Sequence, residues 1–230
     1  MNAAQIARPI LFYFFSTAVS NMYYWIASAA VLVGLLHPAV DYWLTWSYDA
    51  YPSHSSKLYI RKNVVKSCVL ALLTPFALPL MYHALVNNQW DWENIQRLGL
   101  MYGMCDAYSL LRHYDILHPS TRFHHSIVSI YSVANLSIHS SPWKYLNVFA
   151  AFSILTFPVN YYLGMRHLVS RASKQQLAKL SFYVYSPVIL TNVVYQAAVV
   201  WTDPSVLYGL VVFLLLVDDA FLMRHILRNS

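Results

Sequence analysis

Charged residues, cysteine and glycine are all scarce in this chain. Only 10% of its 230 residues are charged, with 15 basic and nine acidic side chains, whereas about 25% is usual for a soluble domain. So few charges cannot cover the surface of a soluble enzyme, and they exclude a nucleic-acid-binding protein of the usual basic kind. The two cysteines, Cys68 and Cys105, lie in apolar stretches and predict no disulfide framework. With five glycines there is no Gly-rich phosphate loop, and the Gly-x-Ser-x-Gly motif of serine hydrolases is absent.

Long apolar segments take the place of the missing charge. Hydrophobic residues make up 58% of the chain, and a helix needs about 20 mostly apolar residues to cross a membrane. We therefore predict an all-α fold, a polytopic membrane helix bundle with about seven transmembrane helices. The predicted spans are residues 10–36, 64–86, 95–113, 123–138, 145–163, 180–201 and 206–226.

Lysine and arginine are divided unevenly between the two ends of these spans. Twelve of the 15 fall on the side that holds the loops after the first, third and fifth spans and the C-terminus. Because basic residues concentrate on the cytosolic side of membrane proteins, the N-terminus is predicted to be lumenal or outside and the C-terminus cytosolic. Termini on opposite sides also favour an odd number of spans.

The first span and the segment after it stand apart from the rest of the chain. We expect this span to end at His37-Pro38, and residues 38–63 to form a linker rich in aromatic side chains, with an interfacial helix. Residues 1–56 are therefore predicted to be an N-terminal transmembrane helix with its interfacial aromatic linker. Residues 57–230 are predicted to be a six-helix membrane domain.

Three carboxylates lie inside the predicted spans, where an ionisable side chain is costly and usually functional. They are Asp106 in the third span and the adjacent Asp218 and Asp219 in the seventh. Adjacent helical positions point about 100° apart, so at most one of that pair is expected to face a cavity shared with Asp106. The alternative role for each carboxylate is to fix helix packing. Helical spacing puts three further polar side chains near the face of Asp106: Tyr102, Ser109 and His113.

A histidine pair, His124 and His125, opens the fourth span. Imidazole suits a general base because its ordinary pKa lies near working pH. We expect one ring to face the bundle and the other to pack or cap; the alternative is that both bind lipid or backbone at the interface. A di-iron site would need about eight histidines in three clusters; here only the spaced pair His113 and His118 precedes this one, and the other six histidines of the chain are isolated. We therefore expect no metal site.

Five short motifs follow one another in order along the chain. They are RKNVVKS at 61–67, YGMCD at 102–106, FHHSIV at 123–128, SSPWKYLN at 140–147 and YYLGMR at 161–166. In order and spacing this set resembles the TLC domain of membrane proteins, and the resemblance covers residues 57–227. It implies a bundle of six helices around a cavity that accommodates a lipid.

The resemblance also implies candidate functional residues. Ceramide synthases of this family transfer a fatty acyl group from acyl-CoA to a sphingoid amine, and matching by motif gives His124, His125 and Asp106 as catalytic candidates. The chain differs from those enzymes at Val128, where they carry a threonine, and it has no acidic residue from 126 to 202. These differences favour a member outside the ceramide synthases.

Three functions remain open at this point. The first is an integral membrane protein that binds or handles an acyl lipid, without a cofactor and with membrane lipids as partners. The second is a structural subunit of a larger membrane complex, whose partners are other membrane subunits. The third is an acyltransferase that uses acyl-CoA as co-substrate.

The resemblance favours the endoplasmic reticulum, with the mitochondrial inner membrane as the alternative. The candidate residues for the lipid cavity are Tyr102, Asp106, Ser109, His113, His124, His125, Asp218 and Asp219.

Overall fold

All regular secondary structure in the described part of the chain is helical. The computed structural model describes residues 22–48, 54–117, 119–134 and 142–230. Single turns of 3-10 helix lie at Tyr114–Ile116 and Trp143–Tyr145. The all-α fold is therefore confirmed for these residues. Their α-helices are α1 Met22–Ser47, α2 His54–Asn87, α3 Trp92–His113, α4 Pro119–Ala134, α5 Leu146–Ile154, α6 Phe157–Met165, α7 Arg171–Thr202 and α8 Val206–Leu227.

Several of these helices are long and apolar enough to cross a membrane. Four qualify singly, namely Ala27–Ser47 within α1, Ser56–Asn87 within α2, and the whole of α7 and α8. The helices α5 and α6 qualify together as a fifth, with a bend of 53° between them. These helices indicate an integral membrane protein. Since α3 and α4 do not meet the same criterion, the prediction of seven spans is not confirmed.

The predicted end of the first span at His37-Pro38 is wrong, because α1 continues through Pro38 to Ser47. Proline removes one backbone donor, and a membrane helix tolerates that loss where it packs against neighbours. Here Val40 and Leu44 are buried in the core and hold the last turns in place. The part of the span before residue 22, and residues 49–53 of the linker, lie outside the described residues. Three linker aromatics are exposed on this same helix: Tyr42, Trp43 and Trp46.

The predicted fifth span, residues 145–163, is two helices and not one. The first turn of α6 contains Pro158, which has no backbone N–H to continue the helix from α5. Neighbouring helices bind carbonyls at this break, where Ser67 of α2 donates to the Phe157 carbonyl at 3.0 Å. From α7, Ser181 donates to the Pro158 carbonyl at 2.9 Å. Such pairing lets an irregular backbone persist inside a membrane bundle.

Two glycines let α3 approach its neighbours closely. A Cβ atom at Gly99 would overlap Asn147 Oδ1 of α5, and a Cβ atom at Gly103 would overlap Ser132 Oγ and Cβ of α4. Small residues four positions apart commonly allow such close packing between membrane helices. This close packing brings α3, which carries Asp106, against α4, which carries the histidine pair.

The basic side chains gather at one end of the bundle. Arg166, which follows α6, contacts His225 Nε2 near the end of α8 and donates to Tyr59 OH near the start of α2 at 3.3 Å. Beside it, burial and the charges of Arg166 and Lys174 lower the pKa of His167 below its ordinary value. The imidazole is thus neutral at pH 7, and the charge of this region comes from arginine and lysine.

Aromatic side chains mark the opposite end of the bundle. Trp90, in the turn between α2 and α3, stacks on Trp92 at a centroid distance of 4.9 Å and lies 5.4 Å from Tyr195 of α7. Lys144 Nζ lies 4.7 Å from the centroid of the Trp92 ring. Tryptophan and tyrosine of this density are typical of the membrane–water interface.

Gly103→Ala should destabilise the bundle, because the new methyl group would push α4 away from α3. Overpacking of this kind costs about 1–3 kcal/mol, and thermal unfolding in detergent, followed by tryptophan fluorescence, measures the loss. Gly34→Ala is the matched control, since nothing lies within 4 Å of a Cβ atom at that position of α1. Its Tm should stay level or rise, because alanine is the better helix former by about 1 kcal/mol. Equal losses in the two variants would contradict the packing argument.

Candidate functional site

Five ionisable side chains meet inside the bundle, and we call them the Asp106 cluster. They come from four helices, α2, α3, α4 and α8. Asp106 lies at their centre and has no solvent exposure, and the side chains of His124 and His125 beside it are 12% and 9% exposed. Burial of a carboxylate is expensive unless charges and donors surround it. The members of the cluster are Lys66, Asp106, His124, His125 and Asp218.

Lys66 supplies the positive charge that Asp106 requires. Its Nζ atom contacts Asp106 Oδ1 and donates to Tyr102 OH at 3.4 Å. The same Nζ atom lies 4.4 Å from the centroid of the Tyr102 ring, within cation–π range. This buried ion pair joins α2 to α3.

The two histidines both approach Asp106, one at each carboxylate oxygen. His125 Nδ1 lies 2.8 Å from Oδ1, and His124 Nε2 lies 4.0 Å from Oδ2. The prediction that one ring faces the bundle while the other packs or caps is therefore wrong, because both rings face the cluster. Although the two Cα–Cβ bonds diverge along α4, the long side chains bend toward the same carboxylate, and their rings lie nearly perpendicular at a centroid distance of 5.7 Å.

The adjacent carboxylates of α8 have different partners. Asp218 Oδ2 lies 3.1 Å from His124 Nδ1, so it joins the Asp106 cluster from across the bundle. Asp219 Oδ1 accepts a hydrogen bond of 2.6 Å from Tyr185 OH of α7. This division agrees with the expectation that the two side chains diverge. His124 is consequently placed between two carboxylates.

The remaining predicted residues of α3 are buried but play separate parts. Ser109 donates to the Cys105 carbonyl of its own helix at 2.9 Å. His113 lies outside the Asp106 cluster, and its ring centroid is 5.6 Å from that of His37 in α1. Tyr102 is the member of this face that contacts the cluster directly. Both cysteines, Cys68 and Cys105, are free thiols, as expected.

A narrow apolar cavity adjoins the cluster between α3, α4, α5 and α8. It encloses about 20 Å³, which is room for a single small group. Tyr102 belongs to both sites, since its ring lines the cavity while its hydroxyl contacts Lys66. A larger apolar ligand therefore requires the walls to separate. The other lining residues include Ile127, Tyr131, Phe149, Ala150 and Leu215.

Sequence reasoning missed the part that Lys66 plays in this site. From the sequence, Lys66 is one of the basic residues that predict the orientation of the chain. Its position gave a usable signal, because residue 66 lies inside the predicted span 64–86 and not before it. A lysine inside one span and an aspartate inside another are expected to pair, since either alone is costly there.

The cluster also has donors of the type that bind metal ions. Ligand atoms of Asp106, His124 and His125 lie within 4.8 Å of one another, and two histidines with a carboxylate are common ligands of Zn²⁺. The ammonium group of Lys66 already contacts Asp106 Oδ1, however. A divalent ion would have to share that carboxylate with a fixed positive charge, which disfavours it.

Compared with protein-family models, curated proteins and solved structures, the chain matches none of them significantly. The resemblance to the TLC domain therefore stays a prediction from the motifs.

Breaking the buried ion pair on one side should be costly. Lys66→Met leaves Asp106 without its ammonium partner, and loss of one member of a buried pair costs about 3–5 kcal/mol. The double variant Lys66→Met/Asp106→Asn removes both charges and should lose less than the sum of the single variants. The free energy of unfolding in mixed detergent micelles, measured for the four proteins of the cycle, gives the coupling.

Glu93→Gln provides the control for that cycle. It breaks the contact between Glu93 and Arg97 at the other end of the bundle, where the glutamate is 71% exposed. Exposed pairs contribute roughly 0–1 kcal/mol, so stability should hardly change. Strict additivity between Lys66→Met and Asp106→Asn would show that the pair does not hold α2 against α3.

Proposed function

We propose that this chain is an integral membrane protein that binds an acyl lipid, with the polar head at the Asp106 cluster and the chain in the adjacent cavity. The observation that carries the proposal is a cluster of ionisable side chains around the fully buried Asp106, beside an apolar cavity. Ionisable groups inside a membrane bundle are expensive and usually serve a bound polar group. The motifs that resemble the TLC domain support the same function.

The unpaired atoms of the cluster indicate the chemistry of the lipid head. Asp106 Oδ2 is buried and accepts no hydrogen bond from the residues that the structure describes. It can therefore accept one from a hydroxyl or amine of the ligand. Lys66 and the histidine rings can in turn donate to a carbonyl oxygen. A lipid head with an amide, or with a hydroxyl beside a carbonyl, matches this set.

A lateral path for the acyl chain would run between α4 and α8. The cavity is lined on one side by Ile127 and Tyr131 of α4 and on the other by Leu215 of α8. Separation of these helices would join the cavity to the apolar faces of the bundle. Phe123 of α4 and Phe221 of α8 are exposed on those faces, at 54% and 65%.

We extend the proposal to the arrangement in the membrane. With α3 and α4 as further spans and α5–α6 as one broken span, the described helices make seven crossings. The polar residues in the second half of α3, Asp106, Ser109 and His113, are buried in the bundle, so they do not argue against a span. The basic end is then cytosolic and the C-terminus lies on that side. The TLC resemblance favours the endoplasmic reticulum.

The protein purified in mild detergent should carry an acyl lipid, which mass spectrometry of the extracted protein would detect. Ala150→Leu adds bulk to the cavity wall and should reduce the lipid content several-fold. Ala220→Leu makes the same change at an exposed position of α8 and should leave the lipid content unchanged. Equal lipid content in all three proteins would rule out this cavity as the binding site.

A second candidate function, acyl transfer, is favoured by the contact between His125 Nδ1 and Asp106 Oδ1 at 2.8 Å. A carboxylate at Nδ1 orients an imidazole and leaves Nε2 to act as general base. The base would take the proton of an amine or hydroxyl as that group attacks the thioester carbonyl of acyl-CoA. A new C–N or C–O bond replaces the C–S bond, and the departing thiolate takes up a proton.

Acyl transfer predicts that His124→Ala or His125→Ala abolishes acyl-CoA-dependent product formation while the protein stays folded. Radiolabelled acyl-CoA with sphingoid base or diacylglycerol as acceptor measures the activity. His83→Ala, at an exposed position near the end of α2, is the control and should retain full activity. Activity that survives both cluster variants would eliminate the enzyme, whereas lipid content would still test the first proposal.

A further inference from the structure

A second group of polar side chains lies nearer the basic end, and we call it the basic-end cluster. It joins α1, α2 and α3 through His37, Arg61, Lys62 and His113. Three of these residues are at least nine-tenths buried, with exposures of 6% for His37, 7% for Lys62 and 5% for His113. Such burial of basic side chains requires partners of the opposite charge.

Lys62 has no such partner. Among the residues that the structure describes, its ammonium group meets no carboxylate and makes no hydrogen bond, and it lies 5.2 Å from the centroid of the Tyr59 ring. Lys62 and Arg61 both act electrostatically on His113, and Lys62 itself is subject to the opposite charges of Lys66 and, at longer range, Asp106. A buried ammonium among cations is stabilised only when an anion approaches it.

Several other polar atoms of this cluster are buried without a hydrogen-bond partner in the described part of the chain. They are Arg61 Nε, His37 Nδ1 and both ring nitrogens of His113. The rings of His37 and His113 lie close together at a centroid distance of 5.6 Å, and the charge of Arg61 acts on both of them. Buried polar groups in native proteins are nearly always paired, and these four atoms call for a ligand.

The charge of the region determines the sign of that ligand. Asp41 lies 3.6 Å from Arg61 and 3.4 Å from Lys57, so one carboxylate serves two cations. Lys62 and Arg112 add positive charge beside the same histidines without adding a carboxylate. The cluster therefore has an excess of positive charge that is directed inward.

We propose that the basic-end cluster binds a phosphate group. A phosphate presents three or more acceptor oxygens around one centre, which matches an ammonium, a guanidinium N–H and two imidazoles better than a two-oxygen carboxylate does. Basic pockets between membrane helices on the cytosolic side commonly hold phosphate head groups. The shared chemistry is a phosphate monoester or inorganic phosphate, held by Lys62, Arg61 and His113.

This site is separate from the Asp106 cluster. His113 lies seven residues beyond Asp106 on α3, which is about 10 Å along the helix axis. No member of the basic-end cluster forms an ion pair with Asp106 among the described residues, and the charge of Asp106 reaches Lys62 only from beyond ion-pair distance. The proposal goes beyond lipid binding at Asp106 and stands or falls independently of it.

The test measures Tm of the full chain in detergent by tryptophan fluorescence at constant ionic strength. Two probes are added separately, inorganic phosphate and dioleoyl phosphatidic acid in the micelle, with dioleoylglycerol as the phosphate-free control. A ligand that binds only the folded state raises Tm, and we expect a rise of about 2–4 °C for a chain of this size. Lys62→Met should abolish the rise. Lys179→Met, which removes an exposed lysine of α7, should keep it.

The outcomes separate the sources of the phosphate. If the Lys62-dependent rise in Tm occurs with both probes, the cluster is a general phosphate site. If it occurs with phosphatidic acid alone, the ligand is a lipid head group. If it occurs with inorganic phosphate alone, the ligand is a soluble phosphate compound. No rise with either probe, or an equal rise in Lys62→Met, overturns the proposal. Should Lys62→Met fail to fold, His113→Phe keeps the ring, removes both nitrogens and must show the same loss.

Discussion

The contact between Lys66 and Asp106 is the constraint on which the arrangement of the bundle depends. Neither charge is tolerable alone in an apolar interior, so α2 and α3 must meet at the level where these two side chains face each other. Gly103 of α3 then lets α4 approach closely, because the side chain of Ser132 occupies the space that a Cβ atom at Gly103 would fill. His124 and His125 precede Ser132 on α4 by eight and seven residues, and the close packing places both of them beside the same carboxylate.

The two polar clusters differ in how completely their charges are balanced. At the Asp106 cluster the carboxylates of Asp106 and Asp218 face one ammonium and two imidazoles, so each carboxylate already has a basic side chain as its partner. A neutral polar group such as an amide or hydroxyl suits such a site. At the basic-end cluster one carboxylate serves several cations and Lys62 is left with an aromatic ring. Only an anion completes that second set, which is why the two sites are expected to bind different chemical groups.

The apolar pattern predicted the helices well where one apolar run makes one helix. The seventh span, predicted at 206–226, is α8 at Val206–Leu227, and the third ends at His113 as predicted. It failed where packing overrides local signals, since α1 passes through Pro38 and the fifth span breaks before Pro158. At the site, helical spacing identified the buried face of α3 that carries Asp106, but it did not identify Lys66 of α2 as the partner of Asp106. Which lysine meets Asp106, and that both histidines reach it, depends on contacts between helices that no single helix encodes.

The distribution of strong and weak contacts indicates which half of the bundle can move. The ion pair and the close glycine packing hold α2, α3 and α4 together. On the other side, α8 is held to α7 by the pairs of Tyr185 with Asp219 and of Tyr208 with Gln196. Between the halves, the contact of His124 with Asp218 is the ion pair that crosses from α4 to α8 in the described residues, and the apolar cavity lies along the same seam. Separation of α4 from α8 would therefore open the cavity at the expense of that one contact, and would expose the face of His124 toward the cavity.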